Sequence, residues 1–490
     1  MVASIRHACL VFAAAVGLGG CVSVGTMPAQ SDINALLVER GAAAVPAFAG
    51  NTVADAVGTG EGLGEPLSAD RAVQVAMVHS PRLQEEYARL GLARADVLEA
   101  IQIANPRLSV SYLQPGNGPG RQLLTGVTLP LVDLLLLPAR TRLAGLDYER
   151  ARLDIAAAVF AVAADVRAGW YCFVGAQQVA DMRAAVAQGA AASAELAKRF
   201  YDAGNISELQ LKQEEAAASQ ARIDAGQALA AAQRARLTLN MLVGLSGAEA
   251  KWQTTDRLPQ PVSEEDDPQA LAEIAQRSNL ELLASRQELS VYNSLLLSAK
   301  RWRWLSGSDI GYARESELDG SHIKGPTLGF ELPIFNQRQA QLARAQARTT
   351  QAQARLATVK LSTENAVRLG AERVRTLRQI VETHRDLLIP QREAVVARSQ
   401  EQQNFMFIGV FELIQAKIKE FDAYQGYLEA VRDYWLARVD LTRAVGQRLP
   451  SDAAAGVLTP SVRELIAPPG TGTAPMPGTS HKDHQPGAQP

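Results

Sequence analysis

Apolar and polar positions change their period along this chain, and they do so twice in the same order. Over residues 107–113, RLSVSYL, the apolar Leu108, Val110 and Tyr112 alternate with Ser109 and Ser111. A period of two places the sets on opposite faces of a strand. The alternation returns as Ile310 and Tyr312 opposite Asp309 and Gly311, as Val127, Leu129 and Leu131 opposite Thr128, and as Leu328, Phe330, Leu332 and Ile334 opposite Thr327 and Glu331. These segments predict two hairpins, each greasy on one face and polar on the other. Pro130 and Pro333 stand near the ends of their strands, where a missing N–H removes little ladder pairing and lets the chain leave for a helix.

Beyond each hairpin the period lengthens. Val367, Val374, Val381 and Leu388 recur every seven residues, as do Leu146, Leu153 and Phe160, which predicts laterally packed, supercoiled helices. From 338 to 388 there is no proline and a single glycine, Gly370. Such a run reaches roughly 75 Å, far beyond the diameter of a globular domain. Pro390 in one half and Gly189 in the other predict a bend at one shared level.

The two halves are copies. Leu83 matches Leu282, Val110 and Tyr112 match Ile310 and Tyr312, Leu129-Pro130 matches Leu332-Pro333, and RLTLNMLVG at 236–244 matches RVDLTRAVG at 438–446. Four anchors in one order indicate duplication rather than a short-period solenoid. Each copy reads as helix, strand, turn, strand, very long helix, reverse turn and returning helix. The expected organisation is a first repeat at 67–247, a solvated acidic linker at 248–267 containing SEEDDP, a second repeat at 268–449, and a disordered Pro/Gly-rich tail at 450–490. The segment 21–66 is expected to be loose apart from a short helix at 33–40.

Four strands cannot close a membrane barrel, and open edges in lipid leave backbone groups unpaired at several kcal/mol each. The pattern therefore predicts an oligomer: a dimer would give eight strands and a trimer twelve, and only the larger leaves a usable lumen. On this reading Ser109, Ser111, Thr128, Asp309 and Glu331 face the lumen, while Val110, Tyr112, Leu129, Ile310, Tyr312, Phe330 and Leu332 face lipid. No later stretch reaches 18 consecutive apolar residues, so no transmembrane helix is expected after the amino terminus.

Composition changes the picture in three places. Arg6 and the apolar run 8–20 have the form of a signal peptide at 1–20, and LGGC at 18–21 resembles a lipobox, which marks Cys21 for acylation; Val22 in place of aspartate fits the outer membrane. With Cys9 removed and Cys21 lipidated, Cys172 stands alone and no internal disulfide is expected. The 49 basic and 51 acidic residues leave no global field for nucleic acid. Gly58–Glu65, GTGEGLGE, misses both the dinucleotide fingerprint and the P-loop, and neither H-E-x-x-H nor G-x-S-x-G occurs. No catalytic set, cofactor or metal site is expected, and His481 and His484 in the tail are too few for one.

Taken together, the doubled strand–Leu-Pro–long-helix unit, the turn YDAGNISELQ at 201–210, the closing LVG and AVG, and the lipobox resemble the TolC family of outer-membrane efflux channels over residues 67–449. The resemblance implies a mainly α fold with a small β part: a homotrimeric 12-stranded outer-membrane β-barrel continued by a 12-helix periplasmic α-barrel. It implies a passive conduit, with no enzyme activity, docked through a periplasmic adaptor protein to an inner-membrane efflux pump. The tips carrying Gly204, Asn205, Ile206 and Ser207, and Gly409, Val410 and Phe411, are expected to meet the adaptor. Glu412 falls where the family closes its periplasmic mouth with acidic residues, whereas Gln415 stands where a second acid is common. NFMFIGVFELIQAK at 404–417 looks most like the heavy-metal branch. A periplasmic coiled-coil lipoprotein with a structural or adaptor role is the alternative, though it has no use for the doubled hairpin.

Overall fold

The computed structural model describes residues 29–40, 66–114 and 121–461, apart from 248, 255–256, 305–306, 318, 320, 332–333 and 455–456, together with residue 464. The signal segment, Cys21, Leu332, Pro333, His481 and His484 lie outside the described residues.

Duplication is visible in the order of elements. The first unit runs α2 (Ala69–His79), α3 (Pro81–Ile101), β1 (Arg107–Leu113), β2 (Gln122–Pro130), α4 (Leu131–Asp202) and α5 (Glu208–Val243). The second runs α6 (Pro268–Ser278), α7 (Leu280–Arg301), β3 (Ser308–Ser316), β4 (His322–Phe330), α8 (Gln339–Thr383), α9 (Ile389–Asn404) and α10 (Val410–Val445). A short α1 (Ala29–Glu39) precedes them. Local chemistry starts the helices as expected: Ser68, Asp267 and Asn279 side chains accept the N–H of Arg71, Ala270 and Leu282, and Pro81 and Pro268 occupy first-turn positions where no N–H is needed.

At 72 residues, α4 extends to about 110 Å. Helix starts at Leu131, so Leu131 and Val132 belong to α4 and not to the preceding strand, and Pro130 is both the last strand residue and the helix cap. One stretch of α4 is apolar enough to cross a bilayer by composition, which a count of consecutive apolar residues misses; half of that stretch is buried inside the protein, as in a core helix. The heptad positions Val367, Val374 and Val381 are buried, on the helix that packs against α10.

The expected pair of bends is half realised. In the second copy a π turn, His384–Leu388, precedes Pro390, and the Ile389 N–H reaches back to the His384 carbonyl. A proline cannot donate to the carbonyl four residues back and its ring crowds that position, so one wide turn absorbs the insertion. In the first copy α4 runs through Gly189 without a break, because a glycine keeps its N–H and obstructs nothing.

The core gathers at the middle of the helices, and segments expected to be solvated take part in it. Trp252 donates to Asn240 Oδ1 at 2.6 Å, Leu258 and Val262 are buried, and Pro259 bridges Leu458. The described part of the tail follows suit: Pro450–Ala454 forms a 3₁₀ turn, and buried Thr459 donates its N–H to the Leu258 carbonyl at 2.8 Å. The described residues of the 248–267 linker and of 450–461 thus form a packed collar, held by apolar side chains that a composition count cannot place. Helix α1 docks too, through Ile33, Leu37 and Arg40, whose Nε donates to the Ser278 carbonyl at 3.1 Å. Cys172 is half-buried, and burial pushes its thiol pKa up.

Candidate functional site

One four-stranded antiparallel sheet carries the first candidate surface, in the order β1-β2-β3-β4. Its register joins the two hairpins directly, Leu129 opposite Ile310 and Val127 opposite Tyr312. Paired residues share a face, so the register extends the alternation across every strand. One face collects Leu108, Val110, Tyr112, Val127, Leu129, Ile310, Tyr312, Leu328 and Phe330; the other collects Ser109, Ser111, Gly126, Thr128, Asp309, Gly311 and Thr327. Glu331 follows β4 directly and bonds back through its N–H to the Gly307 carbonyl at 3.1 Å. Toward the turns the segregation relaxes, with Leu124 and Ile323 on the polar face and Arg314 and Lys324 on the apolar one.

The apolar face is uncovered within the chain: Leu108, Val110, Tyr112, Ile310, Tyr312, Leu328 and Phe330 are all exposed. So large a continuous apolar surface demands another apolar phase. The polar face is tight instead. A Cβ on Gly311 would stand 2.6 Å from the Val127 carbonyl oxygen and 2.8 Å from Thr327 Oγ1, and one on Gly126 would stand 2.9 Å from Ser109 Oγ. Glycines on one face of a sheet allow it to curl toward that face. β1 and β4 each have one edge without a partner strand among the described residues.

At the far end of the helices are the two reverse turns. Gly204 takes the left-handed conformation at φ 75° and ends α4, and Ser207 Oγ accepts the Gln210 N–H at 3.2 Å to start α5. In the second copy Met406 adopts that conformation at φ 59°, and Gly409 caps α10 without a side chain. Both turns share a small core in which Phe411 and Leu211 are buried with Ala197, and Phe200 meets Phe411 edge-on at 6.1 Å. Ile206 and Val410 pack against it. Phe411 therefore joins the tips and is withdrawn from their surface, whereas Gly204, Asn205, Ser207 and Gly409 remain exposed. The outermost side chains are ones the sequence reading passed over: Phe405, Met406 and Phe407 are 73%, 91% and 80% exposed. An apolar triplet inside a turn was the available signal.

Glu412 and Gln415 lie one turn apart on an exposed face of α10, lining a cleft with Glu214, Arg392 and Lys419. No ion pair engages Glu412 among the described residues. The structure thus brings the two gate candidates together and leaves them free to meet another chain.

Midway, the collar is locked by a buried charge cluster. Arg438, 1% exposed, donates to Glu265 Oε2 at 2.5 Å, to Asp452 Oδ1 at 2.5 Å and to Ser451 Oγ at 2.7 Å, while the Tyr434 hydroxyl donates to Glu265 Oε1 at 2.6 Å. Burial works against the Arg438 charge, but Asp452, Tyr434 and Glu265 outweigh it and hold the pKa above the usual arginine value. No group of three or more His, Cys, Asp or Glu able to hold a metal occurs among the described residues.

No protein-family model matches this chain, and no curated protein does. Solved structures do. A membrane protein from Pseudomonas aeruginosa superposes with a TM-score of 0.67 at 18% identity, over 77% of this chain and 92% of that one. The CmeC outer membrane channel of Campylobacter jejuni gives 0.67 at 14%, over 77% and 85%, and the outer membrane protein VceC of Vibrio cholerae gives 0.63 at 15%, over 78% and 96%. The fold is that of outer-membrane channels, in agreement with the resemblance drawn from the sequence.

Proposed function

We propose that three copies of this chain close their sheets into a twelve-stranded barrel in the outer membrane and continue it as a helical tunnel, forming the passive exit duct of a tripartite efflux system. The observation that carries this reading is the sheet itself, with an exposed apolar face that gives way to charge only toward the turns, and with two edges unpaired among the described residues. Such a sheet has stable surroundings only where sister sheets satisfy its edges and lipid covers its face. Val110, Tyr112, Leu129, Ile310, Tyr312, Phe330 and Leu332 then face lipid, and Ser109, Ser111, Thr128, Asp309 and Glu331 face the lumen. Cys21 carries the lipid anchor, the two tips meet a periplasmic adaptor, and the pump behind it selects the cargo. Heavy-metal ions are the cargo class favoured by the 404–417 segment.

Purified protein is expected to run as a trimer resistant to sodium dodecyl sulfate and to give stepwise conductance in planar bilayers. A monomer that leaves the membrane on lipase treatment alone would point to a coiled-coil lipoprotein instead. For the gate, Glu412→Ala is expected to raise the conductance of the resting channel and to weaken its block by divalent cations, since Glu412 is an exposed, unpaired carboxylate at the tunnel mouth. Unchanged conductance together with an unchanged cation response removes Glu412 from that role.

A further inference from the structure

Directly beneath the sheet the chain is strongly basic. α7 ends in KRWRW, Lys300–Trp304, a basic run interleaved with aromatics that the sequence reading overlooked, and α8 opens with Arg338, Arg344 and Arg348. Neither stretch has a nearby acid in sequence: none occurs between Glu288 and Asp309, nor between Glu331 and Glu364. Arg338, Arg344 and Arg348 line a cavity of about 360 Å³ between the end of α7 and the starts of α4 and α8, with Trp302 and Leu136 as its apolar walls.

Arginines farther along α8 are paired, as Arg355 is with Glu288, Arg368 with Glu364 and Arg375 with Glu372. The guanidinium groups lining the cavity have no hydrogen bond or ion pair to any described residue. Their placement is also unfavourable in isolation. Arg344 and Arg348 are like charges one helical turn apart, and Arg338 caps the positive end of the α8 dipole in a left-handed conformation at φ 58°. The arrangement is suited to an anion. What that anion is follows from where the cavity lies: β3 begins seven residues after α7 ends, and Trp304, Ile334 and Phe335, on the short connections between the sheet and these helices, are exposed. Aromatic side chains above basic ones mark the boundary between hydrocarbon and headgroups.

We infer that this basic belt binds the phosphate of an anionic phospholipid in the periplasmic leaflet of the outer membrane, one site per subunit. The inference rests on the channel reading, which places the sheet in that membrane. The test is native mass spectrometry of the full-length trimer in mixed micelles containing phosphatidylglycerol or phosphatidylcholine, for the wild type, for an Arg344→Gln/Arg348→Gln variant and for an Arg398→Gln control at the far end of α9. Phosphatidylglycerol is expected to be retained in preference to phosphatidylcholine, to lose about thirtyfold in affinity in the double variant, and to be unaffected in the control. Soluble glycerol 3-phosphate is expected not to compete at equal concentration, because it lacks the chains that the sheet face holds.

Equal retention of the two lipids, full retention by the double variant, or displacement by glycerol 3-phosphate overturns the lipid site. Loss of the trimer by the double variant in neutral detergent also overturns it, since the arginines would then be meeting a sister subunit's carboxylates. A wild type that forms no trimer at all defeats the channel reading first, and this site with it. An intact, conducting trimer without lipid preference defeats only the site.

Discussion

Arg438→Ala is expected to destabilise the protein by about 3–5 kcal/mol, the usual cost of removing one partner from a buried ion cluster. Asp452 would lose its cation while remaining in the collar, and Glu265, still bonded to the Tyr434 hydroxyl, would keep only the longer contact to Arg378 at 3.7 Å. The damage should be local first. Beside this cluster the Trp435 indole donates to the Pro259 carbonyl at 2.6 Å, and Ser451 Oγ donates to Asp266 Oδ2 at 2.6 Å, joining the described parts of 257–267 and 449–461 to each other. Limited proteolysis should therefore cut the collar of the variant well below its unfolding temperature, and leave the wild type intact under the same conditions. A variant that also replaces Glu265 and Asp452 by Leu is expected to recover much of the loss, because the desolvation cost of all three charges disappears with them. A single variant as resistant and as heat-stable as the wild type would show that the cluster contributes nothing. The sign of the pH effect follows from the raised arginine pKa: its contribution is complete below the ordinary arginine value and is lost only as pH rises through the folded-state value, so alkaline titration to pH 10 should not mimic the variant.

Gly446→Ala carries the second large effect. Gly446 ends α10 at φ 82°, and a Cβ there would stand 2.6 Å from Asn279 Cα and 2.9 Å from the Ser278 carbonyl oxygen. Gly244 ends α5 at φ 87°, with a Cβ position 2.4 Å from the His79 carbonyl oxygen. Each returning helix thus stops against the corner where the two opening helices of its own repeat meet. An alanine has to hold a left-handed conformation, at about 1–2 kcal/mol, and to push two backbones apart, at about 1–3 kcal/mol. A loss of roughly 2–5 kcal/mol is expected at either site. Gly189→Ala is the matched control. It lies in the interior of α4 with open space around its Cβ position, so it should stabilise by about 0.5–1 kcal/mol. Equal thermal midpoints for Gly446→Ala and Gly189→Ala would refute the close approach.

The glycines show how sequence and structure divide the evidence. LVG and AVG marked the two repeats as equivalent, and helix-ending glycine was readable from them. What each glycine touches was not, since the contact lies 165 residues or more away along the chain. The tips divide the same way. Gly204 and Ser207 announced a left-handed end and a cap, both interactions within a few residues. The burial of Phe411 and the exposure of Phe405, Met406 and Phe407 depend on how two hairpins of helices lean together, which no local pattern encodes.

By itself the sequence determined the duplication, the two amphipathic hairpins, the very long heptad-bearing helices and their capped turns, because each follows from spacing along a regular backbone with a period of 2, 3.5 or 3.6. Only the tertiary structure decided that the two hairpins join into one sheet with a single apolar face. It also decided that the acidic linker and the start of the tail pack as a collar around Arg438, and that the arginines opening α8 line one cavity with Trp302 and Leu136 from two other segments. Those outcomes turn on charges and edges brought together from distant parts of the chain. Their energies are set by burial and by partners, which exist only once the chain has folded.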